Sequence, residues 1–196
     1  MSLRNPRDRW GGVSQSLHWL VVVLILATGL IGLLMGDMRA SPTKVQVYAL
    51  HKSLGLTILA LAVLRLGWRL AAGAPAAVTG TPRWQARLAS VTHWLLYALL
   101  LAIPFSGWAF NSAAGYPLQW FGLFNLPALV GRDADLRVTV RDLHEALFWA
   151  LVAVTVLHAA AALYHHAVLR DATLARMLPR GWPRVGTRPP AARTED

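Results

Sequence analysis

His144 and His158 stand fourteen residues apart within one apolar stretch. Imidazole binds transition metals in its neutral form and moves protons near neutral pH. Fourteen residues is almost four helical turns, so the two side chains differ by only ~40° around a helix axis and share a face. They lie about 21 Å apart along that axis, which is most of the ~30 Å hydrocarbon thickness of a bilayer. His18 and His51 sit at the mouths of two other apolar stretches and offer a partner for each end. Two haems stacked across a membrane, each held by two histidines, would have this geometry.

The elements that must position these rings are apolar runs near 20 residues, roughly Leu17–Met35, Val45–Leu64, Leu88–Phe110 and Leu143–Val168. The chain has 196 residues, of which 56% are hydrophobic. Each run is long enough to span, and each is continuously apolar rather than alternating, so helices are the spanning elements expected. The fold expected is an all-α integral membrane four-helix bundle with two b haems between the helices. A cleaved signal peptide is the other reading of the first run, but its apolar stretch is long for a signal and cleavage would remove His18.

The net charge of +10 raises the question of nucleic acid. Its distribution answers no. Arg4, Arg7 and Arg9 precede the first run, Arg65, Arg69, Arg83 and Arg87 bracket the second connection, and Arg170, Arg176, Arg180, Arg184, Arg188 and Arg193 follow the fourth. The opposite side has Arg39, Lys44, Lys52, Arg132, Arg137 and Arg141, diluted by Asp37, Asp133, Asp135, Asp142 and Glu145. The positive-inside rule places both termini in the cytoplasm of a multi-pass inner (cytoplasmic) membrane protein. Little soluble chain remains to build a nucleic-acid surface. Cysteine is absent, which excludes disulfides, thiolate metal sites and covalent C-x-x-C-H haem attachment.

Along the chain, residues 1–16 read as a basic amphipathic lead-in, 17–168 as the transmembrane di-haem domain and 169–196 as a frayed basic tail. Within the domain, 111–142 reads as a cap at the outer interface. There Tyr116, Trp120, Phe121, Phe124 and Leu126 interleave with Gly115, Pro117, Gly122 and Pro127. A tethered interfacial loop without function fits the same residues.

Depth pairs His18 with His158 toward the inside and His51 with His144 toward the outside, giving four metal ligands. Two neutral imidazoles per iron make a six-coordinate b haem suited to passing electrons. The fourteen-residue offset recurs from His18 to Gly32, from His93 to Gly107 and from His51 to Arg65. Ser53, Gly55 and Ala159 to Ala162 supply room for a porphyrin, and Arg65 is the candidate partner for its propionates. The other readings are ordinary small-residue helix packing for the glycines and a positive-inside anchor for Arg65. His165 follows His158 by two turns on the same face, so it competes as a ligand or handles protons and quinone at the membrane edge. His93 faces a similar choice. No paired intramembrane carboxylate, nucleophile elbow or phosphate-cradling loop supports a hydrolase.

The chain resembles the bacterial cytochrome b561 family. The resemblance lies in SQSLHWL around His18, YALHKSLGL around His51 and ASVTHWLLYALLLAIPFSG around His93. It continues in RDLHEALFWALVAVTVLHAAAALYHH through His144, His158 and His165, and in the tail DATLARMLP. It implies that His18, His51, His144 and His158 ligate two b haems and that a quinone is the electron partner. Some members oxidise superoxide at the outer face and pass the electrons to ubiquinone. Superoxide is an anion, and Lys52 beside His51 and Arg141 near His144 could form a basic funnel to the outer haem, weakened by the acidic residues on that face. The first expectation is therefore a superoxide:quinone oxidoreductase. The second is a membrane-anchor and electron-relay subunit that docks a partner redox protein, a dehydrogenase or hydrogenase.

Overall fold

Four helices carry the chain back and forth, and side-chain caps show why two of them start where they do. Ser41 accepts from the Lys44 amide and is followed by Pro42 at the first helical position, which opens one helix. Asp133 accepts from the amides of Asp135 and Leu136 and opens another. In the computed structural model, which describes residues 4–179, the elements in order are α1 (Gly12–Met35), α2 (Pro42–Ala72), α3 (Arg83–Ala113), β1 (Leu118–Trp120), β2 (Phe124–Leu126) and α4 (Ala134–Ala167). A single 3-10 turn, Ala175–Met177, follows. All four helices are long and apolar enough to cross a membrane. The expected four-helix membrane bundle is the fold observed.

Alternating connections leave both termini at one end of the bundle, here the terminal end; the β1–β2 hairpin marks the opposite, hairpin end. The most extensive packing is α3 on α4, then α1 on α2, with a thinner α2–α3 interface. Val21, Ile58, Ala62 and Leu100 form the buried core, flanked by Leu24, Ile25, Leu61 and Leu101. Leu151, the buried residue of α4, lies seven residues from both His144 and His158. Much of what is buried is polar (Ser14, Gln15, Ser53, Ser106, Asn111), whereas large apolar residues such as Leu26, 66% exposed, cover the outside. In lipid there is little hydrophobic gain from hiding a leucine between helices, so close packing and internal hydrogen bonds hold such a bundle together.

Three of the differences from the boundaries read in the sequence have a visible cause. First, α1 begins at Gly12 rather than Leu17, because Asn5 Oδ1 accepts from the Gly11 amide and the Ser14 hydroxyl and turns the lead-in onto the helix start. Second, α4 begins at Ala134, so much of the second half of the 111–142 cap is helix. Its first half contains the antiparallel hairpin, with Leu118 opposite Leu126 and Trp120 opposite Phe124.

Third, the beginning of the supposedly frayed tail is tied down. The Trp10 amide donates to Arg176 O (3.3 Å), Gln15 Nε2 donates to Arg176 O and Leu178 O (3.2 and 3.3 Å), and Trp19 Nε1 donates to Met177 O (3.0 Å). Arg176 Nη1 in turn donates to Ala76 O (2.7 Å) in the α2–α3 connection. Backbone carbonyls that would otherwise face solvent gain fixed donors, which is the reason the segment is ordered. The rest of that tail, with Arg180, Arg184, Arg188 and Arg193, lies outside the described residues.

Candidate functional site

At the hairpin end, His51 of α2 and His144 of α4 face each other with ring centroids 6.3 Å apart and planes at 76°. His51 Nδ1 donates to Thr28 O of α1 at 3.1 Å. His144 Nδ1 donates to Ile103 O of α3 at 2.9 Å and lies 3.0 Å from Ser106 Oγ. These carbonyls set the Nδ1–H tautomer and leave the Nε2 lone pair free to bind a metal, as a backbone acceptor on the other ring nitrogen commonly does for metal-binding histidine. Gly32 and Gly107 make room for the two rings: a Cβ at Gly32 would sit 3.0 Å from His51 Cε1, and one at Gly107 would sit 3.1 Å from His144 Cε1.

At the terminal end, His18 of α1 faces His158 of α4 with centroids 6.4 Å apart and planes at 75°. His93 of α3 lies closer to His158, at 5.3 Å. Arg65 stacks 5.5 Å from the Tyr97 ring, and Arg69 lies 5.6 to 5.8 Å from the rings of Trp10, Trp94 and Tyr97. Among the described residues the one ion pair is His165–Asp171, so neither arginine has a carboxylate partner.

These residues fit a bis-histidine haem. Two imidazoles ligating one metal from opposite sides, at ~2 Å per metal–nitrogen bond, put ring centroids roughly 6 Å apart. Both facing pairs show that separation, and the His93–His158 pair is too close for it. His18 Nδ1 is buried without a hydrogen-bond partner. A partly buried guanidinium without an anion is costly, and porphyrin propionates would supply the anion beside Arg65 and Arg69.

The other residues singled out in the sequence are dispersed. Lys52 Nζ donates to Asn111 Oδ1 (3.2 Å) and Pro117 O (3.3 Å), so it ties α2 to α3 and the hairpin. Arg141 is exposed on α4. Ser53 is not spare room for a cofactor: its hydroxyl accepts from the Phe121 amide at 2.9 Å and donates to Ala49 O. His165 pairs with Asp171 at 2.6 Å. Partial burial pushes the Asp171 carboxyl up, but hydrogen bonds from His165 and Thr173 outweigh it and hold the group below the ordinary carboxylate range. Sequence reading missed Thr28, Ser106, Arg69, Tyr97 and Asp171. Of these only Asp171, six residues beyond His165, carried a local signal.

A family model described as prokaryotic cytochrome b561 matches residues 9–180. The chain is 33% identical to cytochrome b561 homolog 2 of Escherichia coli K12 over 188 residues, covering 91% of this chain and 95% of that one. It is 30% identical to cytochrome b561 homolog 1 of the same organism over 176 residues, covering 88% and 98%. It is also 34% identical over 166 residues to a probable superoxide oxidase CybB of Yersinia pestis, covering 84% and 92%. With four spanning helices and histidines paired at two depths, the chain belongs to the prokaryotic cytochrome b561 family of electron-transferring haem b membrane proteins.

Proposed function

We propose that this protein oxidises superoxide at the hairpin end and reduces ubiquinone near the terminal end, using two b haems. One would be held by His51 and His144 and the other by His18 and His158. The observation that carries this reading is the match between the two ring pairs, 6.3 and 6.4 Å, set about 21 Å apart in depth by the fourteen residues between His144 and His158. Held between such rings, haem b would supply one-electron iron chemistry suited to electron transfer.

The residues of the chain supply the rest. Thr28 O and Ile103 O hold the hairpin-end imidazoles in one tautomer. Arg65, with Arg69 behind it, takes the propionates at the terminal end. His93 packs on His158 as a neighbour of the ligand. The arginine bias supports a cytoplasmic terminal end in a bacterial inner membrane. Overall, two superoxide anions become two dioxygen molecules, and one ubiquinone takes the two electrons and two protons. In this reading His165, hydrogen-bonded to Asp171, hands a proton to the quinone. Lys52 and Arg141 raise the local concentration of the anionic substrate. The similarity to a probable superoxide oxidase supports the choice of donor.

The test is quinone reduction by purified, haem-loaded protein when superoxide is generated. Reduction that superoxide dismutase abolishes supports the reading. No reduction under continuous superoxide sinks it, and co-purification of a second redox protein would then favour the anchor role.

A further inference from the structure

We infer that the β1–β2 hairpin is a re-entrant finger, inserted into the hydrocarbon of the leaflet at its own end, with lipid acyl chains as its partner. The first observation is depth. The Phe121 amide donates to Ser53 Oγ, and Trp120 Nε1 donates to Thr57 Oγ1 at 3.1 Å. Ser53 and Thr57 lie two and six residues beyond His51 toward the terminal end, about 3 and 9 Å along α2. Thr57 is midway along α2 (Pro42–Ala72). The two histidine levels, about 21 Å apart, fit inside a ~30 Å hydrocarbon slab. The hairpin tip therefore sits deeper than His51, inside that slab.

The second observation is where its polar groups point. Backbone in hydrocarbon must be satisfied internally, and irregular structure survives there only against protein. The two strands pair with each other, the Leu123 amide closes the turn onto Trp120 O, and the tip amide and the indole N–H are taken by hydroxyls of α2. Ser53 and Thr57 lie on the side of α2 away from His51, some 200° and 240° around the axis. Without the hairpin these hydroxyls would face lipid. With it, Ser53 is 2% exposed and the tip presents Phe121, Leu123 and Phe124, the last two 72% and 55% exposed, while the exposed amide pair Gln119 and Asn125 lies one step nearer the hairpin's base.

The third observation is composition. From Asn111 to Gly131 the chain carries no Asp, Glu, Lys or Arg. Phe121 and Gly122 both have positive φ (48° and 73°), as a type I′ turn requires. Water-facing turns of that type favour Asn or Asp at the first position. A phenylalanine held there against its conformational preference is the choice expected where the side chain contacts hydrocarbon. The finger's apolar face is thus continuous with the lipid-facing surface of the spans.

The chain has no cysteine, so Leu123→Cys in the full-length, haem-loaded protein accepts a single spin label. Reconstituted in phospholipid vesicles, the label is compared with Leu26→Cys on the exposed face of α1 and Arg39→Cys in the α1–α2 connection. The readout is the ratio of collisions with dissolved oxygen to collisions with a water-soluble nickel chelate. The expected ratio for Leu123→Cys lies nearer that of Leu26→Cys and several-fold above that of Arg39→Cys. A ratio nearer that of Arg39→Cys overturns the proposal and leaves the hairpin as a water-facing lid or a dock for another protein. Should Leu123→Cys not bind haem, Phe124→Cys gives the same two readings.

Discussion

His51 and His144 are 6.3 Å apart, and each is oriented by a helix that contributes no ring to the pair: Thr28 of α1 holds His51, and Ile103 of α3 holds His144. All four helices thus meet at one level. Replacing His51 by alanine leaves His144 without its opposite ring, so haem b content should fall from two to one per chain by pyridine haemochrome. An unchanged count would refute the pairing.

At the other level three histidines compete for two positions. The His18–His158 separation of 6.4 Å suits an intervening metal, whereas 5.3 Å between His93 and His158 does not. His18→Ala should therefore lose one haem and His93→Ala should keep both. The reverse pattern in the same assay would reassign the ligand to α3.

Gly32 and Gly107 bear on the rings more directly than on helix packing. A methyl group at Gly32 would press on His51 Cε1 at 3.0 Å. Gly32→Ala should tilt that imidazole and shift the midpoint potential of one haem in a redox titration, with the other unmoved. Gly29→Ala is the control, since its added carbon would meet Phe148 at 3.1 Å instead of a histidine. Equal shifts from both variants would argue against ring clearance.

Arg141 is exposed, and in the proposed reading its charge acts only at long range. Arg141→Gln should slow superoxide-driven quinone reduction by ~2- to 3-fold at low ionic strength. The difference should vanish above roughly 0.3 M salt, where screening lengths shrink to a few ångströms. A loss that persists at high salt would mean that Arg141 contributes a contact rather than a field.

Asp171 is held below the ordinary carboxylate range, so the folded protein favours its ionised form. Its stabilising contribution is complete above the unfolded value of ~3.9 and is lost as pH falls through the lower folded value. The protection of amides across residues 171–179, taken as exchange relative to the intrinsic rate at each pH, should therefore be high at pH 6 and fall below about pH 4. Asp171→Asn should show low protection at both. Slow exchange in the variant at pH 6 would assign the docking to the Arg176 and Leu178 carbonyl contacts alone.

Much of this protein is written in local pattern. The four spans, the shared face of His144 and His158 and the two depths of the histidines follow from helical periodicity set against the thickness of a bilayer, and neither depends on distant residues. Helix ends were less legible, because Ser41 and Asp133 cap beyond the apolar runs and Asn5 fixes the lead-in against the start of α1. Relations between segments were legible only as shared depth, which pairs His18 with His158 and His51 with His144. The approach of His93 to His158, the use of Lys52 and Ser53 to seat the hairpin, and the return of residues 171–179 onto α1 were decided by tertiary structure. Periodicity states which residues share a face but not how far each helix is rotated against its neighbours. That rotation is settled by close packing and by which buried hydroxyl, amide or carbonyl finds a partner.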